Sequence, residues 1–385
     1  MALTSCRRSV CAALVAASLA AATSAAAQVE THTRVSFSAA QTYDGNLFAT
    51  PASRGPQTDF ISRFGPAIEA GYFSLPLEIA ARYEVQAERY VTHTDLNEAV
   101  AHQDLTLSLR YLPTPRIELT TDASYIATQT PGEFNLDSQL AVGRAPAERV
   151  VTGSTLTYKF SDATHVTLEH MFGWDALAGG VTSATHRSQV GVQRRTGLRN
   201  TYQADYHVRH VGFDGGAPVV SHVITAGWSH QLTPRTGFEI TAGPRVTDGT
   251  IRPEISTVLR RQLSRGEVSF GYSRTELTAF GERGTIDVHR VAATGGYRPW
   301  RRLSLTATPA FAHSARDHRH VPVYTLDTEL AVEATNHLSM VAWGRIGRQQ
   351  GTFTGPREMI PYQTFGMKLT MTLPRRVPGA ARASS

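Results

Sequence analysis

Apolar and polar residues alternate with a period of two along most of the chain, the spacing that sends successive side chains to opposite faces of a β-strand. From Leu77 to Glu88, Leu77, Ile79, Ala81, Tyr83, Val85 and Ala87 fall on one face; Glu78, Arg82, Glu84, Gln86 and Glu88 fall on the other. Leu105, Leu107, Leu109 and Tyr111 alternate with Asp104, Thr106, Ser108 and Arg110. Ile117, Leu119, Thr121, Ala123 and Tyr125 alternate with Arg116, Glu118, Thr120, Asp122 and Ser124. A final run sets Phe365, Met367, Leu369, Met371 and Leu373 against Thr364, Gly366, Lys368, Thr370 and Thr372. Helix-period stretches with capping signals are scarce, so the pattern predicts an all-β chain.

The connections between these runs narrow the architecture. Short turns are predicted at Ser74-Leu75-Pro76, Pro113-Thr114-Pro115, Ser161-Asp162-Ala163 and Gly197-Leu198-Arg199. Four more fall at Thr233-Pro234-Arg235, Ser264-Arg265-Gly266, Arg298 to Arg302 around Pro299, and Asn336-His337. Longer polar or Gly/Pro-rich loops alternate with them: Ala49 to Asp59, His93 to Val100, Thr130 to Glu148, Asp175 to Thr185 and Asp214 to Val219. Thr247 to Arg252, Gly281 to Gly284, Arg316 to His320 and Gly351 to Glu358 complete the set. Eight short turns and nine long loops separate 18 strands, with both termini on the short-turn side. That alternation is the pattern of a transmembrane antiparallel β-barrel, with turns in the periplasm and loops outside; a Greek-key sandwich gives no reason for it. Pro253 to Leu263, Arg274 to Leu277 and Asp287 to Ala292 alternate poorly, which leaves 16 strands as the alternative count.

Aromatic residues agree with two interfacial girdles. Tyr72, Phe73, Tyr111, Phe160, Tyr202, Phe238, Tyr297 and Trp300 sit beside the short turns, and Phe60, Tyr125, Trp174, Phe311 and Tyr324 near the long loops. Because every backbone amide in a bilayer needs a partner, the first strand, around Val35 to Thr42, is expected to pair with the one ending at Leu373.

The N-terminus changes the picture of compartment. Arg7 and Arg8 precede an apolar, Ala-rich run from Val10 to Ala22, and Ala25-Ala26-Ala27 supplies small residues before Gln28. This reads as a Sec signal peptide over residues 1–27, too short for a spanning helix. Cleavage would take 27 of the 385 residues, and with them both cysteines, Cys6 and Cys11. The barrel is then expected over 28–373, with the Pro/Ala/Arg-rich 374–385 as a disordered periplasmic tail. Losing Arg7 and Arg8 lowers the formal charge from +6 to +4. Mean hydropathy is −0.22 and aromatics make up 8% of the chain, values that a barrel shares with soluble proteins because half of each strand faces a wet lumen.

Tyr43-Asp44-Gly45-Asn46-Leu47-Phe48, then Thr58-Asp59-Phe60-Ile61-Ser62-Arg63 with Pro66, resembles the opening of a family of bacterial outer-membrane β-barrels encoded with exopolysaccharide or capsule synthesis machinery. The resemblance continues through Ala87-Glu88-Arg89-Tyr90, Leu96-Asn97 and Arg110-Tyr111 with Pro113-Thr114-Pro115, to Thr128-Gln129-Thr130-Pro131-Gly132-Glu133-Phe134-Asn135. It covers roughly the first third of the mature chain. It implies a channel in the outer membrane of a Gram-negative bacterium that exports a polysaccharide and works with periplasmic export components. Expected partners are the polysaccharide cargo, outer-membrane lipid and lipopolysaccharide, and the barrel-assembly machinery. The last strand resembles the assembly signal in polar Thr364, Gly366, Leu369 and Met371, and departs from it in having no terminal aromatic.

With the apolar face outward, Arg63, Arg82, Arg110, Arg116, Arg187, Arg195, Arg209, Arg245 and Arg345 point inward and are the candidate pore-lining residues. Glu69, Glu78, Glu84, Glu88, Asp104, Glu118, Asp122, Glu169, Asp205, Glu239, Asp327, Glu329 and Glu333 share that face. Guanidinium groups bind carboxylates in a fork, so an arginine-lined lumen suits an anionic polymer; cross-strand ion pairs that only stiffen the wall are the competing reading. His313, Asp317, His318 and His320 crowd one predicted loop, and read as solvated histidine more readily than as a metal site. His207 and His210 lie three apart on one strand and face opposite sides. No Gly-x-Ser-x-Gly elbow or phosphate-cradling glycine loop occurs, and no enzyme activity, cofactor or nucleic acid is expected. A general or small-solute porin is the alternative to export. The two differ in their loops: a diffusion porin folds one long loop into its lumen, and Thr130 to Glu148 is the longest here.

Overall fold

The computed structural model describes residues 29–353, 355 and 357–373; the expected signal peptide and C-terminal tail lie outside these. Eighteen strands follow one another in chain order. They are β1 Glu30–Asp44, β2 Asp59–Phe73, β3 Leu77–Tyr90, β4 Glu98–Thr114, β5 Ile117–Thr128, β6 Ala147–Ser161, β7 Thr164–Leu177, β8 Ser183–Thr196 and β9 Asn200–Phe213. The second half comprises β10 Val219–Thr233, β11 Thr236–Thr247, β12 Thr250–Leu263, β13 Gly266–Thr278, β14 Thr285–Trp300, β15 Leu303–Arg316, β16 Arg319–Thr335, β17 Leu338–Gln350 and β18 Met359–Thr372. Each strand pairs antiparallel with its sequence neighbours in a single sheet. The sheet closes through β1 and β18, from Ser36 opposite Thr372 to Asp44 opposite Thr364. With strands about 4.8 Å apart and tilted by about 40°, 18 of them enclose a backbone cylinder roughly 35 Å across.

The strand count is therefore 18, and 16 is excluded. All eight short turns fall where the pattern puts them, although β14 runs on through Pro299 and turns at Arg301-Arg302. Two of the nine outer loops differ from expectation. β11 and β12 are joined by Asp248-Gly249 alone, and β15 and β16 by Asp317-His318. Asp248, Gly249 and Asp317 adopt φ of 48°, 76° and 52°, the left-handed values a two-residue hairpin requires. The polar runs that read as loops are the ends of long strands standing clear of the apolar belt.

Register assigns the faces. Phe37, Phe60, Phe64, Ile68, Ile224 and Met367 are between 42% and 60% exposed on the outer wall, a surface that only a lipid-facing barrel tolerates over so large an area. The girdle aromatics lie on that wall apart from Phe73, whose ring stacks on His32 of the inner face at 5.3 Å. Two strands bend at glycines. A Cβ on Gly65 would lie 1.8 Å from the Val85 carbonyl oxygen, and one on Gly243 1.8 Å from that of Ile224. These positions take no side chain because the neighbouring backbone occupies its place.

Buried apolar residues collect inside the barrel toward its outer end. The largest cluster joins Ile286 and Val288 of β14, Ala312 of β15 and Val321 and Val323 of β16 to Leu140 and Phe353, which belong to loops.

Candidate functional site

The segment that reaches those strands is the connection between β5 and β6, residues 129–146. It leaves the wall at Thr128, folds into the barrel and is held at three places.

Its root is fixed by polar and aromatic contacts. Thr128 donates to Glu133 at 3.0 Å, and Arg63 of β2 donates to the Thr130 hydroxyl at 2.9 Å. The Phe134 ring lies 4.8 Å from that of Phe280, in the β13–β14 connection, and the Arg149 guanidinium covers it at 4.5 Å. Asn135 accepts from the Phe280 amide at 3.2 Å.

The tip crosses to the far wall. Leu140 enters the apolar cluster of β14–β16, the Ala141 amide donates to Gln349 of β17 at 2.8 Å, and Tyr362 of β18 donates to the Gln139 carbonyl at 3.4 Å. Gln139 takes a φ of 58°, a conformation that costs a non-glycine residue energy and persists only where its surroundings enforce it.

The returning limb is locked by Arg144. Its amide donates to the Leu47 carbonyl at 3.0 Å, and its guanidinium donates to the Tyr90 hydroxyl at 2.6 Å. The same group lies 3.4 Å from Asp44 of β1 and 3.4 Å from Glu88 of β3. The Tyr90 hydroxyl donates onward to Glu88 at 2.5 Å, and Arg63 meets the other oxygen of Glu88 at 2.6 Å. Charges this well buried are stable only in such mutual contact.

On the periplasmic side of the loop the lumen holds a cavity of about 690 Å³. Arg63, Glu133, Arg144, Arg290, Asp327, Glu329, Trp343, Arg345 and Tyr362 are among the residues facing it.

The structure distributes the nine candidate arginines unevenly. Arg63 holds the root of the loop, and Arg345, paired with Asp327, lines the cavity. Arg82 pairs with Glu84 and lies 3.9 Å from Asp104, and Arg110 lies 2.8 Å from Glu118 and 3.4 Å from Glu78. Arg187 and Arg209 stand opposite one another on the inner face. Arg209 is answered by Glu254 and Glu276, whereas Arg187 donates to Gln189 at 2.6 Å. Arg195 lies at the periplasmic mouth, one residue from the end of β8, and Arg116 belongs to the β4–β5 turn and not to the wall. Its place before Glu118 on the same face of the alternation is the end of the pattern, where the chain is already turning.

Arg245 opens onto a second feature. β12 pairs with β13 only as far as Ile255 opposite Arg274, leaving their outer ends without ladder bonds to each other. There Arg245 meets Glu254 at 2.6 Å and Asp287 at 2.8 Å, and Arg274 meets Asp287 at 2.9 Å. Glu276, also buried, accepts from Ser221 and Thr285. Side-chain pairing fills a place where the backbone ladder has stopped.

Sequence reasoning missed Arg144, Arg149 and Arg290. Arg144 sits in a loop, where periodicity says nothing. Arg149 follows the alternation of Val150, Thr152, Ser154 and Leu156 and was readable from it. Arg290 falls in a run whose inner face is apolar because Leu140 packs there. Its Nε is buried without a hydrogen-bond partner, and no acid among the described residues reaches its guanidinium.

The histidine-rich run does not form a loop site. His313 and His320 lie on β15 and β16, 3.2 Å apart, and the described residues contain no group of three ligands able to hold a metal. On the outer wall His170 meets Ser188 at 2.9 Å, with no carboxylate among the described residues to orient the ring.

No established family profile and no curated protein matches the sequence. Among solved structures, a BenF-like porin from Pseudomonas fluorescens Pf-5 superposes with a TM-score of 0.52 at 9% identity, covering 89% of this chain and 98% of that one. OccAB4 of Acinetobacter baumannii gives 0.50 at 10% identity over 89% and 98%. The fold is that of a porin barrel. At such identities the likeness extends to the architecture alone.

Proposed function

We propose that the chain is a channel in the outer membrane of a Gram-negative bacterium that passes small solutes, with residues 129–146 as its constriction. One observation carries the reading: the longest loop crosses the lumen and is bound on the far wall by Leu140, Gln349 and Tyr362. An 18-stranded barrel without an inserted segment leaves a wide aqueous bore. An inserted loop held by buried charges reduces it to a passage of fixed size, which suits a solute of a few rings better than a polymer. The described wall below the constriction carries both charge signs, as Arg82, Arg110, Glu78, Asp104 and Glu118 show. Size is then the main filter, with the unpaired Arg290 adding a bias toward anions.

Export of a polysaccharide is a second reading, favoured by the resemblance of the first third of the chain. It requires the loop to withdraw. Conductance in planar bilayers separates the two. For a solute channel, the refolded barrel gives discrete steps, and these enlarge several-fold when residues 136–142 are replaced by a short Gly/Ser link. Acidic oligosaccharides then block only the shortened form. Blockade of the intact channel by those oligomers would favour export, and silence from a correctly folded barrel would overturn both.

A further inference from the structure

The outer wall over β14–β18 changes character at its extracellular end. His289, His313 and His320 form a row across β14, β15 and β16, with ring centroids 6.3 Å and 5.2 Å apart. Arg348 on β17 stands beside Tyr324, one pair below the level of His313, and Arg357 stands above in the β17–β18 connection. All lie within five residues of the strand ends or beyond them, on the lipid-facing side by register. His313, His320, Gln350 and Arg357 line a concavity of about 560 Å³ there.

Charge in this patch is one-sided. Neither Arg348 nor Arg357 has an acid partner among the described residues. Neighbouring carboxylates are engaged by other groups: Asp287, 4.0 Å from His289, by Arg245 and Arg274, and Glu358 by Ser53 of the β1–β2 connection. Asp317 lies in the tight turn between His313 and His320. Directly below, Phe311 and Tyr324 stack at 4.9 Å, and below them Leu326 and Ile346 stand 41% and 48% exposed. From the rim inward the wall therefore offers Arg357 and imidazoles, then an aromatic pair flanked by Arg348, then aliphatic side chains.

We propose that this face binds a phosphorylated glycolipid of the outer leaflet. Such a molecule presents phosphates, a sugar and acyl chains in the same order and over the same depth. Arginine and imidazole N–H groups are suited to phosphate oxygens, and the aromatic pair sits where a sugar ring meets its acyl chains. A soluble anion would gain nothing from the lower two tiers, and a second copy of the chain would place arginine against arginine.

The purified barrel in neutral detergent, titrated with diphosphorylated lipid A and examined by native mass spectrometry, tests the assignment. The intact protein is expected to retain lipid A in preference to its dephosphorylated form. The Arg348→Ser/Arg357→Ser double variant should bind it at least tenfold more weakly, and His313→Gln severalfold more weakly. Arg89→Ser, outward on β3 and four strands away from β17, serves as control and should bind as the parent does. Heat-modifiable migration on gels reports that each variant is folded. Equal retention of the dephosphorylated lipid, displacement by millimolar inorganic phosphate, an equal loss in Arg89→Ser, or dimers in place of lipid adducts would each overturn the proposal.

Discussion

The Arg144 guanidinium at the end of the inserted loop lies 3.4 Å from the carboxylate of Glu88, whose side chain is wholly buried on β3. Removing one member of such a pair costs about 3–5 kcal/mol because the other is left buried and alone. Arg144→Ala should therefore favour the unseated loop by about two to three and a half orders of magnitude. Single-channel recordings are expected to show larger and noisier openings, and steps identical to the parent would show that Arg144 does not hold the loop.

Leu140 seats the tip. Truncating a buried leucine costs about 2–5 kcal/mol. In Leu140→Ala the loop should spend enough time free for trypsin to cut after Arg144 in the intact barrel, while the parent resists under the same conditions. Fragment masses decide the matter, and equal resistance would mean that the polar contacts alone keep the loop in place.

Arg290 faces the cavity without an acid partner among the described residues, so its charge acts on passing ions. A unit charge at roughly 8 Å in water contributes about 0.5 kcal/mol, a factor of about two in local ion concentration. Arg290→Ala should lower the anion-to-cation permeability ratio by about that factor in a salt-gradient reversal potential. Removing Arg345 and Asp327 together, which leaves net charge unchanged, should not shift it. An unaltered ratio in Arg290→Ala would place the ion path elsewhere.

The close approach at Gly243 predicts a structural cost. Gly243→Ala sets a methyl group 1.8 Å from the Ile224 carbonyl oxygen, which the strands relieve only by moving apart. A loss of about 1–3 kcal/mol or more is expected, read as a lower temperature of the heat-modifiable gel shift. Gly153→Ala is the control, since nothing lies within 4 Å of a Cβ there.

How much of this was legible in the sequence depended on what each residue packs against. Strands with water on one side and lipid on the other alternate cleanly, as from Leu77 to Glu88, and their faces could be assigned outright. The run from Asp287 to Ala292 alternates poorly because Val288 faces inward yet is covered by Leu140. The run from Arg274 to Leu277 fails because Glu276 is buried where β12 no longer pairs with β13. In both places a contact distant in sequence overrides the local period. The turns at Asp248-Gly249 and Asp317-His318 misled differently, since polar strand ends above the membrane resemble loops. The residues behind the family resemblance had no visible common purpose in the sequence. In the structure Asp44, Asn46, Leu47, Arg63, Glu88, Tyr90, Thr130, Glu133, Phe134 and Asn135 gather around the root and the returning limb of the inserted loop.

The inserted loop also bears on the order of assembly. Its receiving surface is shared between Asp44 on β1, Glu88 on β3, Gln349 on β17 and Tyr362 on β18, so it straddles the seam where the first and last strands meet. That surface does not exist until the two ends of the sheet have zipped together. The loop, from the middle of the chain, must wait for the final hairpin. Its docking is thus a late event that fastens the youngest joint in the wall.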